Sequence, residues 1–261
     1  MSSAVDRFDD RARTSVGRIG RTVLRQGELL RHPVYTRVLH WLVACFFLAA
    51  LLSGFAIYSP WLYRWLSPLF GGGPTTRLLH QWFGLGFVIV FAFQMLNWLR
   101  PMTWSKADTR WVRNIRSYVS NAEEVEPEDV GFFNGGQKAY FWVIVCCALI
   151  FLVTGLVLWF PRSFGRVLVG ISYVLHDIAG LLMLGGFFLH IYESTFGQPG
   201  TFHSMTRGVV SRRWAWTHHP AWYRAATGRN PRKDFERAKQ RLTPPRAGDG
   251  PGSETRQHQE K

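Results

Sequence analysis

Four long stretches of this chain carry almost no charge, and nothing else constrains its fold as much. No Asp, Glu, Lys or Arg occurs between Arg37 and Arg64, between Arg77 and Arg100, or between Lys138 and Arg162. A fourth stretch, Arg166 to Glu193, is interrupted only by Asp177. Each exceeds the ~20 residues that carry an α-helix across a hydrocarbon core. In hydrocarbon every backbone N–H and C=O must be paired within its own segment, so each stretch reads as a transmembrane helix. The approximate spans are 37–58, 78–99, 138–160 and 172–194. A soluble protein with four such buried helices would need amphipathic helices to cover them, and little sequence of that kind remains. The expected fold is all-α, an integral membrane four-helix bundle.

The basic residues orient it. Arg7, Arg11, Arg13, Arg18, Arg21, Arg25 and Arg31 precede the first span. Lys106, Arg110, Arg113 and Arg116 lie between the second and third. Arg207, Arg212, Arg213, Arg224 and Arg229 follow the fourth. The two remaining loops hold only Arg64 with Arg77, and Arg162 with Arg166. Basic residues collect on the cytoplasmic side, so both termini are expected there. The net charge of +14 then reads as topology and contact with anionic membrane lipid. Nucleic-acid binding is not expected, because these bases flank spans and form no recognition motif. Residues 1–32 have no apolar core before Val34, so no cleavable signal peptide is expected.

This divides the chain into a basic cytoplasmic N-terminal segment (1–31), a transmembrane domain (32–196) and a cytoplasmic C-terminal tail (197–261). The tail is polar and rich in Pro and Gly, and its composition past Arg229 reads as disordered. The first outer loop holds Pro60, Pro68, Gly71, Gly72, Gly73 and Pro74, read as breaking any helix there. Trp61, Trp65, Trp98, Trp104 and Trp159 fall near expected interfaces, as aromatic belts do. Cys45, Cys146 and Cys147 lie inside spans and read as small apolar packers. They cannot supply the four thiolates of an iron–sulfur cluster.

The histidines carry the chemistry. His176 and His190 are fourteen residues apart on the fourth span, close to four turns, so they share a face roughly 21 Å apart along the axis. His40 and His80 lie near the starts of the first two spans. Alternate helices run in opposite directions, so His40 and His190 lie near the inner face, and His80 and His176 near the outer. Depth therefore pairs His40 with His190 and His80 with His176.

A structural zinc site wants four protein ligands and a catalytic one usually three, which neither pair supplies. Asp177 points about 100° away from His176 on the helix and is a poor co-ligand. A haem needs only two axial ligands from protein, so two haem b groups suit two histidine pairs. Isolated histidines, hydrogen-bonded to neighbouring helices, are the plainer alternative. Arg37 and Arg77 each precede a histidine by three residues, on the same helix face. They could bind haem propionates or simply snorkel to the interface. Gly54, Gly84, Gly86, Gly155, Gly180, Gly185 and Gly186 could make room for a macrocycle, or serve ordinary small-residue packing.

With His40-Trp41, His80 and Trp82, His176 and His190, the chain resembles the cytochrome b (gamma) subunits of respiratory formate dehydrogenases. These belong to a di-haem group shared with nickel–iron hydrogenases. Phe133-Asn134-Gly135-Gly136-Gln137-Lys138, and Trp214 to Tyr223 with His218-His219-Pro220, are similar to the formate dehydrogenase branch. The resemblance spans roughly 30–225. It implies a multi-pass protein of the bacterial inner membrane that anchors an iron–sulfur (beta) subunit and a molybdenum or tungsten catalytic (alpha) subunit. Electrons would pass from the outer haem to the inner one and on to menaquinone or ubiquinone, beside Asn134, Gly135 and Gln137. Amides at a helix N-terminus can hydrogen-bond a quinone carbonyl, and Asn134 can equally serve as a helix cap. A cytochrome b subunit of a hydrogenase or thiosulfate reductase is the nearest rival. A non-redox membrane anchor would not need paired histidines. A transporter should show inverted repeats and broken helices, which are not seen.

Overall fold

The computed structural model describes residues 27–116 and 127–242. Arg7 to Arg25, and Glu123, Glu124 and Glu126 between the second and third spans, lie outside the described residues. Four helices are long and apolar enough to cross a membrane: α1 (Val34–Tyr58), α3 (Gly73–Trp98), α5 (Gly135–Trp159) and α6 (Arg166–Tyr192). Each starts three to six residues before its sequence-expected start. A charged or polar first turn is tolerated where a helix emerges from lipid, as at Arg37, Arg77, Lys138 and Arg166.

The short connections follow local signals. Pro60 opens helix α2 (Pro60–Leu66), and Ser59 caps it by accepting from the Leu62 N–H at 3.4 Å. Pro74 sits in the first turn of α3. These prolines begin helices, correcting the expectation that they only break them, because a first-turn residue needs no N–H donor. Gly71 (φ 81°) and Gly72 (φ 93°) make the left-handed turn between α2 and α3, a conformation costly for other residues.

The spans pack as two hairpins. α1 lies along α3, and α5 along α6, while α3 and α5 join the pairs. A core of Phe87, Phe91, Phe141, Val145, Cys147, Ala148, Ala179 and Met183 fills the middle. Cys147 is buried as a packer, whereas Cys45 and Cys146 are exposed on the bundle surface. Across the gap between α1 and α6, side chains meet: the Phe47 and Phe187 ring centroids are 5.6 Å apart.

A second layer covers the end of the bundle where α1 starts and α6 ends. Helix α4 (Lys106–Arg113) begins in a capping box of Ser105 and Asp108. Asp108 is buried and accepts from Lys138 Nζ at 2.8 Å, and Lys138 also donates to the Thr103 carbonyl. This buried pair ties α4 to the first turn of α5. Strands β1 (Glu28–Leu30) and β2 (Val209–Ser211) form a small antiparallel ribbon. After α6 come α7 (Thr201–Thr206), α8 (Arg212–His218), α9 (Pro220–Thr227) and α10 (Pro231–Leu242). Leu29, Val210, Trp214, Ala215, Trp222 and Tyr223 form their core.

Two expectations change here. The chain past Arg229 was expected to be disordered, yet Pro231–Leu242 is helical. Asn230 caps it, accepting from the Arg232 and Lys233 N–H groups at 3.0 and 3.2 Å, with Pro231 as its first residue. It docks through Asp234, which accepts from the Tyr223 hydroxyl at 2.7 Å. Arg31, grouped with the flanking bases, is 2% exposed. Its guanidinium lies over Phe132, Trp214 and Trp222, with centroids 4.4, 4.8 and 4.8 Å from Cζ. It also donates to the Phe132 carbonyl and contacts His219 Nε2 at 3.2 Å. His219 Nδ1 meets the Gly131 carbonyl at 2.8 Å, so it carries the proton and Nε2 accepts from Arg31.

Burial pushes the Arg31 pKa down to about 9, which leaves it charged at neutral pH. Burial, and then Arg31, hold His219 and His32 well below their ordinary value and His218 down to about 4. These rings are neutral when folded but protonate near pH 6.5 when unfolded, so below that value the unfolded form binds more protons. Their contribution to stability is complete above about pH 6.5 and is lost as pH falls toward the folded values. The thermal unfolding midpoint should therefore drop from about pH 7 to about pH 5. His219→Asn, which cannot titrate, should show a shallower decline. Identical slopes for the two proteins would contradict this account.

Candidate haem sites

The structure brings the four histidines together as two pairs. The His40 and His190 ring centroids are 6.1 Å apart, and those of His80 and His176 are 6.2 Å apart. Two imidazoles on opposite sides of one metal ion, each bonded at about 2 Å, place their ring centres about 6 Å apart. Both separations fit two axial ligands of a haem iron. Among the described residues, no group of three or more His, Cys, Asp or Glu side chains is placed to share a metal ion.

The surroundings of the two pairs differ. His80 Nδ1 lies 3.0 Å from the Ala50 carbonyl and 3.1 Å from Ser53 Oγ. His176 Nδ1 lies 2.8 Å from Thr154 Oγ1. Each hydroxyl is followed by a glycine near the same ring. A Cβ at Gly54 would come within 3.1 Å of His80 Cε1, and one at Gly155 within 4.0 Å of His176 Cε1. At the other pair, His40 Nδ1 is buried and has no protein partner among the described residues. His190 stacks on Tyr140, with centroids 5.5 Å apart and planes 11° from parallel. Gly186 clears space for that ring, since a Cβ there would meet Tyr140 Cε2 at 2.9 Å. Gly86 admits Phe46 in the same way, whereas Gly84, Gly180 and Gly185 face open space. Ser53, Thr154 and Tyr140 were not among the sequence-expected site residues. The Ser-Gly and Thr-Gly pairs on apolar spans were the available signal.

Arg37 and Arg77 fare differently. Arg37 Nη1 donates to the Thr206 carbonyl at 2.7 Å, while its buried Nε has no partner among the described residues. Arg77 is exposed one turn before His80. Asn134 is 3% exposed and caps α5. Its Oδ1 accepts from the Gln137 N–H at 2.9 Å, and Gln137 Oε1 accepts from the Asn134 N–H at 3.1 Å. The cap occupies both side-chain oxygens and leaves the two amide NH2 groups as donors. Trp111 packs over this turn: Cβ atoms at Gly135 and Gly136 would lie 3.0 and 2.7 Å from its ring.

Four spanning helices with axial-type histidine pairs between them define a membrane-bound b-type cytochrome. Comparison with known proteins agrees. The prokaryotic cytochrome b561 family matches residues 31–208, and the chain belongs to that family. It is 35% identical over 212 residues to the nitrate-inducible formate dehydrogenase cytochrome b556(Fdn) subunit of Escherichia coli (strain K12), covering 80% of this chain and 96% of that one. It is 30% identical over 203 residues to that strain's formate dehydrogenase cytochrome b556(fdo) subunit, covering 77% and 94%. A formate dehydrogenase cytochrome b556 subunit of Haemophilus influenzae is 30% identical over 201 residues, covering 76% and 83%. Family and spans together make this a multi-pass protein of the bacterial inner membrane that uses haem b.

The Gly54 contact yields a test. Gly54→Val should force its branched side chain against His80 and lower the amount of haem b retained per polypeptide, read from the reduced-minus-oxidised α band. Full retention of pigment by this variant would contradict the close approach.

Proposed function

We propose that this chain is the membrane-anchoring, di-haem cytochrome b subunit of a formate dehydrogenase complex, passing electrons across the membrane to quinone. The observation that carries the reading is the pair of imidazole separations, 6.1 and 6.2 Å, at opposite ends of one bundle. When bound, a haem iron supplies reversible one-electron transfer. His40 with His190, and His80 with His176, would hold the two irons. Arg37, whose Nε has no partner among the described residues, is suited to a propionate of the first, and exposed Arg77 to one of the second.

The orientation follows from charge. Arg37, Lys106, Arg110, Arg113, Arg207, Arg212 and Arg213 all belong to the end that holds His40 and His190, which supports that end as cytoplasmic. The His80–His176 end then faces outward, where an iron–sulfur (beta) subunit, itself joined to a molybdenum or tungsten catalytic (alpha) subunit, would deliver electrons. Moving one electron inward against the membrane potential stores about 2.3 kcal/mol per 100 mV.

Menaquinone or ubiquinone would be reduced at the inner end. Asn134, Gly135 and Gln137 open α5 there, and Gln137 lies one turn from Tyr140, which stacks on His190. The amide NH2 groups left free by the cap can donate to a quinone carbonyl, and the helix N-terminus favours the charge that develops. The buried Lys138–Asp108 pair holds this turn against α4.

Two experiments test the reading. Replacing either His40 or His190 should remove the same spectroscopic centre, and replacing either His80 or His176 should remove the other. Spectra in which His40 and His80 variants lose one common centre would overturn the pairing. Asn134→Leu should slow quinone reduction by at least about tenfold, with both haems retained; that loss corresponds to about 1.4 kcal/mol. Asn134→Ser keeps a capping oxygen but has no amide, and should be slow as well. Normal quinone kinetics in the serine variant would reject the amide role and leave Asn134 only as a cap.

A further inference from the structure

We propose that Ser53 and Thr154 are positioning residues for the haem held by His80 and His176, and that the hydrogen bonds they accept make it the lower-potential centre of the two. This rests on the two-haem reading above and concerns how the protein sets a direction between the centres.

The hydrogen bonds fix the protons. Thr154 Oγ1 lies 2.6 Å from the Ile150 carbonyl and Ser53 Oγ 2.6 Å from the Ala49 carbonyl. A carbonyl only accepts, so both hydroxyl hydrogens are committed to the preceding helical turn. The hydroxyl oxygens therefore turn lone pairs toward His176 Nδ1 and His80 Nδ1. The Ala50 carbonyl, 3.0 Å from His80 Nδ1, also admits only a donor there. Both rings must carry hydrogen on Nδ1, which leaves the Nε2 lone pair free for iron.

The same device appears on two separate helices. Ser53-Gly54 on α1 serves His80, and Thr154-Gly155 on α5 serves His176. In each the hydroxyl holds Nδ1 and a glycine follows it; at Gly54 the missing Cβ makes room for the His80 edge, while a Cβ at Gly155 would only reach ordinary contact with His176. An Nδ1–H that donates to oxygen makes its imidazole a stronger base toward the metal. That favours ferric over ferrous iron and lowers the reduction potential, since hydrogen bonding around axial ligands is one of the protein's levers on it. No such acceptor serves the other pair among the described residues. His40 Nδ1 has no protein partner, and His190 meets the face of Tyr140. A lower potential at the His80–His176 end favours electron movement toward the His40–His190 end.

Potentiometric titration of the complex purified with its partner subunits decides this. Midpoints are assigned by which is missing from the His176 and His40 variants, and the lower should vanish with His176. Thr154→Val keeps the shape but removes the acceptor. It should shift the ferric–ferrous equilibrium of that centre about fivefold toward ferrous, roughly 40 mV at 59 mV per tenfold. Ser53→Ala should shift it less, because the Ala50 carbonyl still accepts from His80. Thr154→Ser should restore the wild-type midpoint, and the other centre should move in none of them. If Thr154→Val loses haem, Ser53→Ala and Thr154→Ser still decide. Two retained haems with an unmoved lower midpoint would overturn the inference, as would a lower midpoint that belongs to the His40–His190 centre. A protein that binds fewer than two haems would fail the two-haem reading itself, and the inference with it.

Discussion

Imidazoles meeting across the gap between two helical hairpins are the contact that the rest of the bundle serves. A histidine inside a bilayer is costly unless its polar nitrogens are used. Here Nδ1 of His80 and of His176 each lies within hydrogen-bond distance of protein oxygens. Helix direction sets the depth of each ring, Gly54 leaves room beside His80, and the hydroxyls of Ser53 and Thr154 lie at hydrogen-bond distance from Nδ1 of His80 and His176. The hairpins α1/α3 and α5/α6 are packed internally, while the histidines bridge between them.

The end of the bundle near His40 and His190 is built differently from the other. There β1, β2 and the helices after α6 fold over the membrane domain around Arg31, Trp214, Trp222 and His219. A guanidinium among aromatic faces, with a neutral histidine as acceptor, replaces the carboxylate such a charge would ordinarily need. Asp108 and Lys138 hold the cap of α5 beside it. The opposite end consists of the short helix α2 with its flanking turns and a single 3-10 turn at Pro161–Ser163.

The spans were legible because a bilayer forbids charge over a fixed length, which is a strong and local rule. Their starts were less so, since α3 takes in Arg77 and α6 takes in Arg166, both left outside the expected spans, and α1 and α5 begin three residues before Arg37 and Lys138. Helix direction placed His40 level with His190 and His80 level with His176, and in the fold those rings lie 6.1 and 6.2 Å apart. The β1–β2 ribbon was not, because three-residue strands carry too little alternation to detect. Helix α10 was missed although Asn230-Pro231 is a helix-start signal, because the polar, Pro- and Gly-rich composition of the tail outweighed the cap. Arg31 was read with the other flanking bases; only the fold reveals the aromatic cluster that receives it. Ser53 and Thr154 could have been found by extending the depth argument, since each lies level with the histidine it serves.

The most direct test of the central claim is the haem content of the purified polypeptide, measured as the pyridine haemochrome against protein mass. Two iron porphyrins per chain is the result this account requires. A stoichiometry of one or none, in protein that retains its helical content, would contradict it.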